Sequence, residues 1–370
     1  MQQRIVMLVD LDYFYAQVEE RRNPSIKDKP VVVCVYSGRT QDSGAVATAN
    51  YIAREHGVRS GIPIALAKKR LKDIEAVFLP VDRPYYEEVS ERVMSLLRGN
   101  ADSFEQVGID EAYLDVSERT GGNFKEARWL ALEVKDKLKA QEGITGSVGV
   151  APNKLLAKIA SDVQKPDGLT VVEPDEIELF LSPMPVGRII GIGAKTERKM
   201  AEMGITTISD LAKSDVQSLI ETFGRTLGIY FHNASLGLDD QPVQDRGEAT
   251  SISRIATLKE NTRDLNLVVE KTNQLSEEVY SKLVERGLNY KSVGIVAVMT
   301  DLTVHSRSKT FESQMNQLDV IKKTVMELFE RFLGESANDV RRVGVKVSGF
   351  GKQEKEQSSL TDFMQPQKRT

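Results

Sequence analysis

The sequence predicts an α+β protein built around two split βαβ units, and three observations carry that prediction. From Arg4 to Val163 the hydrophobic pattern runs strand, helix, hairpin, helix, strand. The same order returns from Thr250 to Phe350. Between the two, Pro174 to about Asp240 holds short helical pieces punctuated by glycine, and Gln241 to Gly247 is polar, contains Pro242 and reads as a linker.

Taken in order, Arg4 to Asp12 is an apolar run suited to one buried strand, and it ends in acids at Asp10 and Asp12. Tyr13 to Glu20 alternates with helical spacing. Pro30 to Tyr36 is a second apolar strand, followed by a small-residue polar loop from Ser37 to Gly44. Helices are expected at Ala47 to His56 and at Ile64 to Leu71, separated by Gly57, Gly61 and Pro63. Arg83 to Leu97 is an amphipathic helix. Phe104 to Ile109 and Ala112 to Val116 read as a hairpin with Asp110-Glu111 at its turn. A helix at Trp129 to Ala140, a strand at Gly146 to Val150 and a helix at Asn153 to Val163 complete the unit. In a ferredoxin-like sheet the first strand lies beside the hairpin, which brings Asp10 next to Asp110 and Glu111. The second unit has strands at Ile252 to Leu258, Val293 to Leu302, Ser306 to Phe311 and Val340 to Phe350. Its helices fall near Leu265 to Arg286 and Asp319 to Phe332, and no sequence repeat links the two units.

A chain of 370 residues suits two to four domains, and 40% hydrophobic with 28% charged residues is ordinary globular composition. Cys34 is the only cysteine, set in the run Val31 to Val35, so it is expected as a buried strand thiol in a reducing cytoplasm. Ile5 to Val9 is too short for a signal core, and no run approaches the roughly 20 apolar residues that span a bilayer. No membrane partner is expected. The net charge of -4 counts mildly against nucleic acid, but phosphate binding depends on a local basic surface and not on the whole-chain sum.

Asp10-Leu11-Asp12 at a strand end and Asp110-Glu111 at a hairpin turn are the chemically suggestive acids. Strand alternation points Asp10 and Asp12 the same way and Leu11 into the core. Clustered carboxylates with a backbone carbonyl suit Mg²⁺, and a pair of such ions serves in-line phosphoryl displacement. Taken singly, each acid also fits an ordinary turn or strand end. Their placement on neighbouring strands of one sheet is what gives the metal reading its force.

Here a resemblance becomes specific. Val9 to Glu19, reading VDLDYFYAQVE, is similar to the opening motif of the Y-family DNA polymerases, the DNA polymerase IV group in its archaeal form. So are Ala47 to Tyr51 with Arg54, Gly61-Ile62-Pro63, and Ile109 to Asp115. Gly149 to Lys154, Ala157 to Ser161 and Lys165 to Gly168 continue the set in the family's order, and the similarity covers nearly the whole chain. It implies a right-hand polymerase. The ferredoxin-like palm is expected at 1–21 and 82–172, small fingers at 22–81 and a helical thumb at 173–239. A linker at 240–247 leads to a little finger at 248–350 and a flexible tail at 351–370. It also implies template-directed, low-fidelity addition of deoxynucleotides to a primer 3′-hydroxyl during translesion synthesis, by a cytoplasmic monomer.

For individual residues, the resemblance implies that Asp10, Asp110 and Glu111 hold two Mg²⁺ ions, with Mn²⁺ as a substitute and the Leu11 carbonyl assisting. Asp12 is expected as a hydrogen-bonding strand-end carboxylate. Tyr15 resembles the steric gate that excludes a 2′-hydroxyl; on position alone it is equally a core aromatic. Tyr51, Arg54 and Lys165 match triphosphate-binding positions, with help from Thr48, Lys158 and the Tyr13 amide. Val35, Ala45 and Gly61 match a small-residue roof over the nascent base pair.

Ile190-Gly191-Ile192-Gly193 resembles a helix-hairpin-helix that holds a DNA phosphate on backbone amides; a glycine-rich helix cap is the alternative. In the second unit Arg254, Lys291, Arg307, Lys309, Arg341, Arg342 and Lys346 lie on or beside strands. Arg307 with Lys309, and Arg342 with Lys346, are spaced to project from one face that grips duplex backbone. Gln357 to Met364 resembles a sliding-clamp box, with Gln357, Leu360, Phe363 and Met364 at its contact positions and Met364 where a second aromatic is usual.

Two other readings compete. A nucleotidyl cyclase shares the palm and two-metal chemistry but needs no helix-hairpin-helix, basic second domain or clamp box. A non-catalytic DNA-binding scaffold is expected to lack a metal carboxylate or a triphosphate cation, and here all are present. No segment suggests a proofreading exonuclease.

Overall fold

The computed structural model describes residues 3–245, 247 and 249–352. They pack into two units: one runs to Val35 and from Ala45 to Gly247, the other combines Tyr36–Gly44 with the residues after Gly247.

The first unit is built on a five-stranded sheet. β1 (Val6–Leu11) lies between β6 (Glu111–Asp115) and β7 (Gly146–Ala151), and β5 (Ser103–Gln106) and β8 (Leu169–Val171) form the edges. β1 is antiparallel to both neighbours, so first strand, hairpin and last strand take the ferredoxin-like arrangement expected, with β8 added in parallel. Both faces of β1 are buried, which explains its unbroken apolar run. Met7, Val9 and Leu11 face a core shared with helices α4 (Arg83–Gly99) and α5 (Phe124–Glu142). Val6 and Leu8 face helix α6 (Lys154–Ser161) and the glycine-punctuated helices that follow. Asp10, two residues past Leu8, therefore belongs to the α6 side.

The remaining elements of this unit serve the site. Helix α1 (Phe14–Arg22) leaves the end of β1 through Tyr13, which adopts the left-handed conformation at φ 36. A three-stranded sheet places β2 (Val31–Tyr36) between β3 (Gly44–Ala49) and β4 (Val77–Pro80), with Cys34 buried as expected. Ala47 to Ala49 corrects the sequence reading, since they are strand and the helix is only α2 (Tyr51–Glu55). Alanine favours helix, but pairing with β2 overrides that weak preference. The hairpin is also shorter than expected, with Gln106 opposite Ala112 and Glu111 already the first residue of β6. The strands β4 and β8 were not anticipated.

In the second unit, β9 (Ser251–Thr262), β10 (Leu288–Met299), β11 (Val304–Met315) and β12 (Val340–Ser348) alternate with helices α12 (Leu265–Glu285) and α13 (Leu318–Glu335) as expected. The strand order is β11-β10-β12-β9, so β12 and not β11 lies beside β9. Each crossover is still split by one strand, but the hairpin lies the other way round from the first sheet. β11 is polar on both faces and almost fully exposed, which suits an edge and not the centre of a sheet. Among the described residues no helix is long and apolar enough to cross a membrane.

Candidate active site and nucleic-acid surfaces

The register of β1 against β6 sets Asp10 directly opposite Glu111. The Leu11 amide donates to the Asp110 carbonyl at 2.9 Å, which fixes the hairpin turn against the end of β1. Three carboxylates predicted from distant segments thus share one corner of the sheet. Burial raises the Asp110 carboxyl above the ordinary aspartate range, and the Asp10 charge raises it further. Gly108 packs at this turn, where a Cβ would stand 3.1 Å from an Asp110 carboxylate oxygen.

Two ammonium groups meet these acids. Lys158, on α6, is 2.7 Å from one Asp10 oxygen and 2.9 Å from Glu111. Lys165 is 2.7 Å from the other Asp10 oxygen and 2.9 Å from Asp162. Burial pulls both lysines down, but the carboxylates around them, Asp10 with Glu111 for Lys158 and Asp10 with Asp162 for Lys165, together outweigh it, so both are held above the ordinary lysine range. Helix α6 can bring Lys158 this close because Gly149 lies beneath it. A Cβ there would come within 2.0 Å of the Ala157 carbonyl oxygen. Asp162, at the end of α6, is a member of the cluster that sequence reasoning missed.

The donor set fits hard divalent cations: three carboxylates from two adjoining chain segments, supplying oxygen only. Among the described residues these acids are not drawn into a closed cage; the two ammonium groups pair with Asp10 and Glu111 instead. Asp12 takes the part expected of it. It is 1% exposed and accepts from the Thr145 and Ser147 hydroxyls and the Asp167 amide, each at 2.8 Å. It therefore ties the end of β1 to the loop that carries Lys165.

Beside the carboxylates lies a group of aromatic and basic side chains. Tyr51 begins α2, meets the edge of the Tyr13 ring at 5.3 Å, and carries the Arg54 guanidinium 4.7 Å above its own ring. Arg54 Nε donates to the Ala49 carbonyl at 2.9 Å. Burial and the Asp12 charge raise the Tyr51 hydroxyl above the usual tyrosine range. Thr48 is half-buried on β3. Tyr15, half-buried on α1, stacks on Tyr86. Val35 is 56% exposed, and Gly61 is exposed as well.

Gly191 turns the chain with φ +90, and Gly193 caps helix α8 (Ala194–Glu202) without a side-chain bond. The Tyr230 hydroxyl donates to the Ile190 carbonyl at 2.9 Å and steadies the turn.

In the second unit the strand register corrects the idea of one basic face. Arg307 pairs with Ile295 and Lys309 with Val293, both core residues, so these two cations lie on the helix-covered side. Arg307 sits 5.7 Å over the Phe332 ring and 3.5 Å from Glu335, and Lys309 is 3.2 Å from Glu327. Arg254 is likewise 3.5 Å from Glu278. Arg342 and Lys346 face the opposite, open side. There, rungs such as Ser253–Lys346–Gly294–Ser308 and Thr257–Arg342–Val298–Val304 cross all four strands. From Ser251 to Thr257, and over the strand segments paired with it, this face carries hydroxyls, glycines, aliphatic groups and two cations but no carboxylate. Sequence reasoning found its cations; its hydroxyls needed the register. The clamp-like segment Gln357 to Met364 lies outside the described residues.

Comparison with known proteins agrees with this geometry. Residues 9–162 match the impB/mucB/samB family, 249–360 match the C-terminal domain of that family, and 188–239 match a thumb domain described for DNA polymerase-iota. The chain is 44% identical to DNA polymerase IV 1 of Methanosarcina mazei over 98% of its own length and 100% of that protein. It is 46% identical to DNA polymerase IV of Nitrosopumilus maritimus, over 94% of this chain and 96% of that one. A chimera of the Y-family polymerases Dbh and Dpo4 superposes with a TM-score of 0.89 at 39% identity, covering 94% of this chain and 99% of the chimera. An insertion ternary complex of Dbh DNA polymerase superposes at 0.68 with 38% identity, covering 94% and 99%.

Proposed function

The chain belongs to the Y-family of DNA polymerases, in its DNA polymerase IV branch, and from that premise we propose how its residues divide the work. It is a metal-dependent, template-directed DNA polymerase of translesion synthesis, acting on primer–template DNA and deoxynucleoside triphosphates. The observation that carries the assignment of residues is the Asp10–Glu111 pair with Asp110 beside it, faced by Lys158 and Lys165.

In this reading Asp10, Asp110 and Glu111, with the Leu11 carbonyl, hold two Mg²⁺ ions, for which Mn²⁺ substitutes. When bound, the ions stabilise the attacking and leaving oxygens of an in-line displacement. Tyr51, Arg54, Lys158, Lys165 and the Tyr13 amide bind the triphosphate, Arg54 through its fork and the lysines as point charges, with Thr48 beside them. The phosphates give both ammonium groups a new anionic partner as they leave the carboxylates. Tyr15 excludes ribose, and Val35, Ala45 and Gly61 leave room above the base pair for distorted bases.

The same reading divides the chain into palm, fingers, thumb, linker, little finger and tail at the boundaries given above. Gly191 and Gly193 offer thumb amides to a phosphate. Arg342 and Lys346, with the hydroxyls around them, receive duplex backbone on the open face of the second sheet. Arg307 and Lys309 are less available, since each is held by an acid of α13. The protein works as a cytoplasmic monomer, and Gln357, Leu360, Phe363 and Met364 dock to a sliding clamp.

Primer extension on a DNA template with Mg²⁺ tests the centre of this reading. The native chain is expected to extend the primer, and Asp110→Ala to lose at least about a thousandfold in rate while still binding DNA, the scale on which removing such a group acts. Extension by Asp110→Ala at the native rate would remove Asp110 from the chemistry.

A further inference from the structure

With Tyr15 as the sugar gate proposed above, the firmness of the gate depends on what holds its ring. Tyr15 and Glu19 are four residues apart on α1 and so lie on one face, a turn apart. Tyr86 reaches across from α4 and engages both. Its ring stacks on Tyr15 with centroids 4.5 Å apart and planes 20° from parallel. Its hydroxyl donates to the Glu19 carboxylate at 2.7 Å. Tyr86 is fully buried at 0% exposure, and Glu19 is 8% exposed. Burial, with the Glu19 charge, keeps the Tyr86 hydroxyl above the usual tyrosine range and therefore a donor. Arg22 adds a stitch between the same helices, 3.0 Å from Asp82 at the start of α4.

We propose that Tyr86 is a positioning residue for sugar selection, holding the Tyr15 ring from behind, and that Glu19 anchors Tyr86 in turn. A gate selects by collision, so it works only while the ring cannot yield. A ribose hydroxyl pressing on Tyr15 meets a second ring whose far end is tied to a buried carboxylate. Without that backing the aromatic ring can rotate or retreat, and the ribonucleotide enters. The deoxynucleotide makes no such demand, so its incorporation depends far less on the support.

The test is single-nucleotide insertion with dNTP and rNTP, giving kcat/KM for each, on native protein and four variants whose folding is checked by thermal melting. Tyr15→Ala is expected to abolish discrimination; a native ratio in that variant would remove the gate itself. Tyr86→Leu is expected to lower discrimination about tenfold, the cost of a loosened pocket contact, mainly through faster ribonucleotide insertion. Tyr86→Phe keeps the stack and loses only the anchor, so its ratio should fall by a smaller factor. Glu19→Gln keeps an acceptor and should hold the native ratio. Relaxed selection in Tyr15→Ala beside a native ratio in folded Tyr86→Leu overturns the proposal. Should Tyr86→Leu fail to fold, a native ratio in Tyr86→Phe overturns it in the same way.

Discussion

Asp10, Asp110 and Glu111 crowd three negative charges into one corner, and Lys158 and Lys165 offset only part of the cost. Asp110 bears the remainder, because burial and then Asp10 raise its carboxyl above the ordinary aspartate range. A carboxyl raised in the folded state binds its proton more tightly there than in the unfolded chain. Its contribution to stability is therefore full at pH below the unfolded value and is lost as pH rises through the folded value. At neutral pH Asp110 is therefore a burden on the metal-free protein, the cost expected of a carboxyl retained for the metal-binding role proposed for it. Asp110→Asn should raise the melting temperature of metal- and DNA-free protein by about 2 °C at neutral pH. The gain should vanish below about pH 4, where an unfolded aspartate is itself protonated. Melting curves at the two pH values decide it, and a variant no more stable than the native chain at neutral pH would contradict this account.

At the scale of elements, what the sequence made legible follows how locally each feature is determined. β1 was readable because burial on both faces leaves an unbroken apolar run that ends at the acids. The hairpin was readable, but its turn was not, since only the pairing of Gln106 with Ala112 shows Glu111 to be strand. The strand at Ala47 to Ala49 was misread because nothing local distinguishes it from the helix that follows. Helix α2 itself depends on Asn50, which is 2% exposed. Its side-chain oxygen accepts from the Ala53 amide at 3.0 Å, capping the helix, and from the Val31 amide at 3.1 Å. Its amide group donates to Glu20 and to the Lys29 carbonyl, each at 2.8 Å. Asn50→Ala would strip the cap and leave the buried Glu20 short of a donor. The expected loss is about 3 kcal/mol by urea denaturation. Because α2 carries Tyr51 and Arg54, KM for the incoming nucleotide should rise more than kcat falls. A stable variant with native KM would detach the helix cap from nucleotide binding.

For the whole molecule, a net charge of -4 is reconciled with DNA binding by where the charges lie. Many cations are not free to meet the duplex backbone. Lys158 and Lys165 are held by the active-site acids, Lys154 by the buried Glu105, and Arg307 and Lys309 by α13. Spacing alone could not reveal this, because residues two apart share a face but spacing does not say which face is covered. The register does say so, and it separates two pairs of cations that look equivalent in sequence. Arg342 and Lys346 share a face free of carboxylates over the paired strands; under the proposed docking, each phosphate they neutralised would release counterions. Replacing either by alanine should weaken primer–template binding about equally across sequences and reduce the salt slope by about one for each phosphate no longer neutralised. Arg307→Ala and Lys309→Ala each remove a cation that already has an anionic partner, so their salt slopes should stay near the native value. Fluorescence anisotropy titrations at several salt concentrations separate the cases. If Arg307→Ala lowered the slope as far as Lys346→Ala, the duplex would have to reach the helix-covered side, and the open sheet could not be its only seat in this unit.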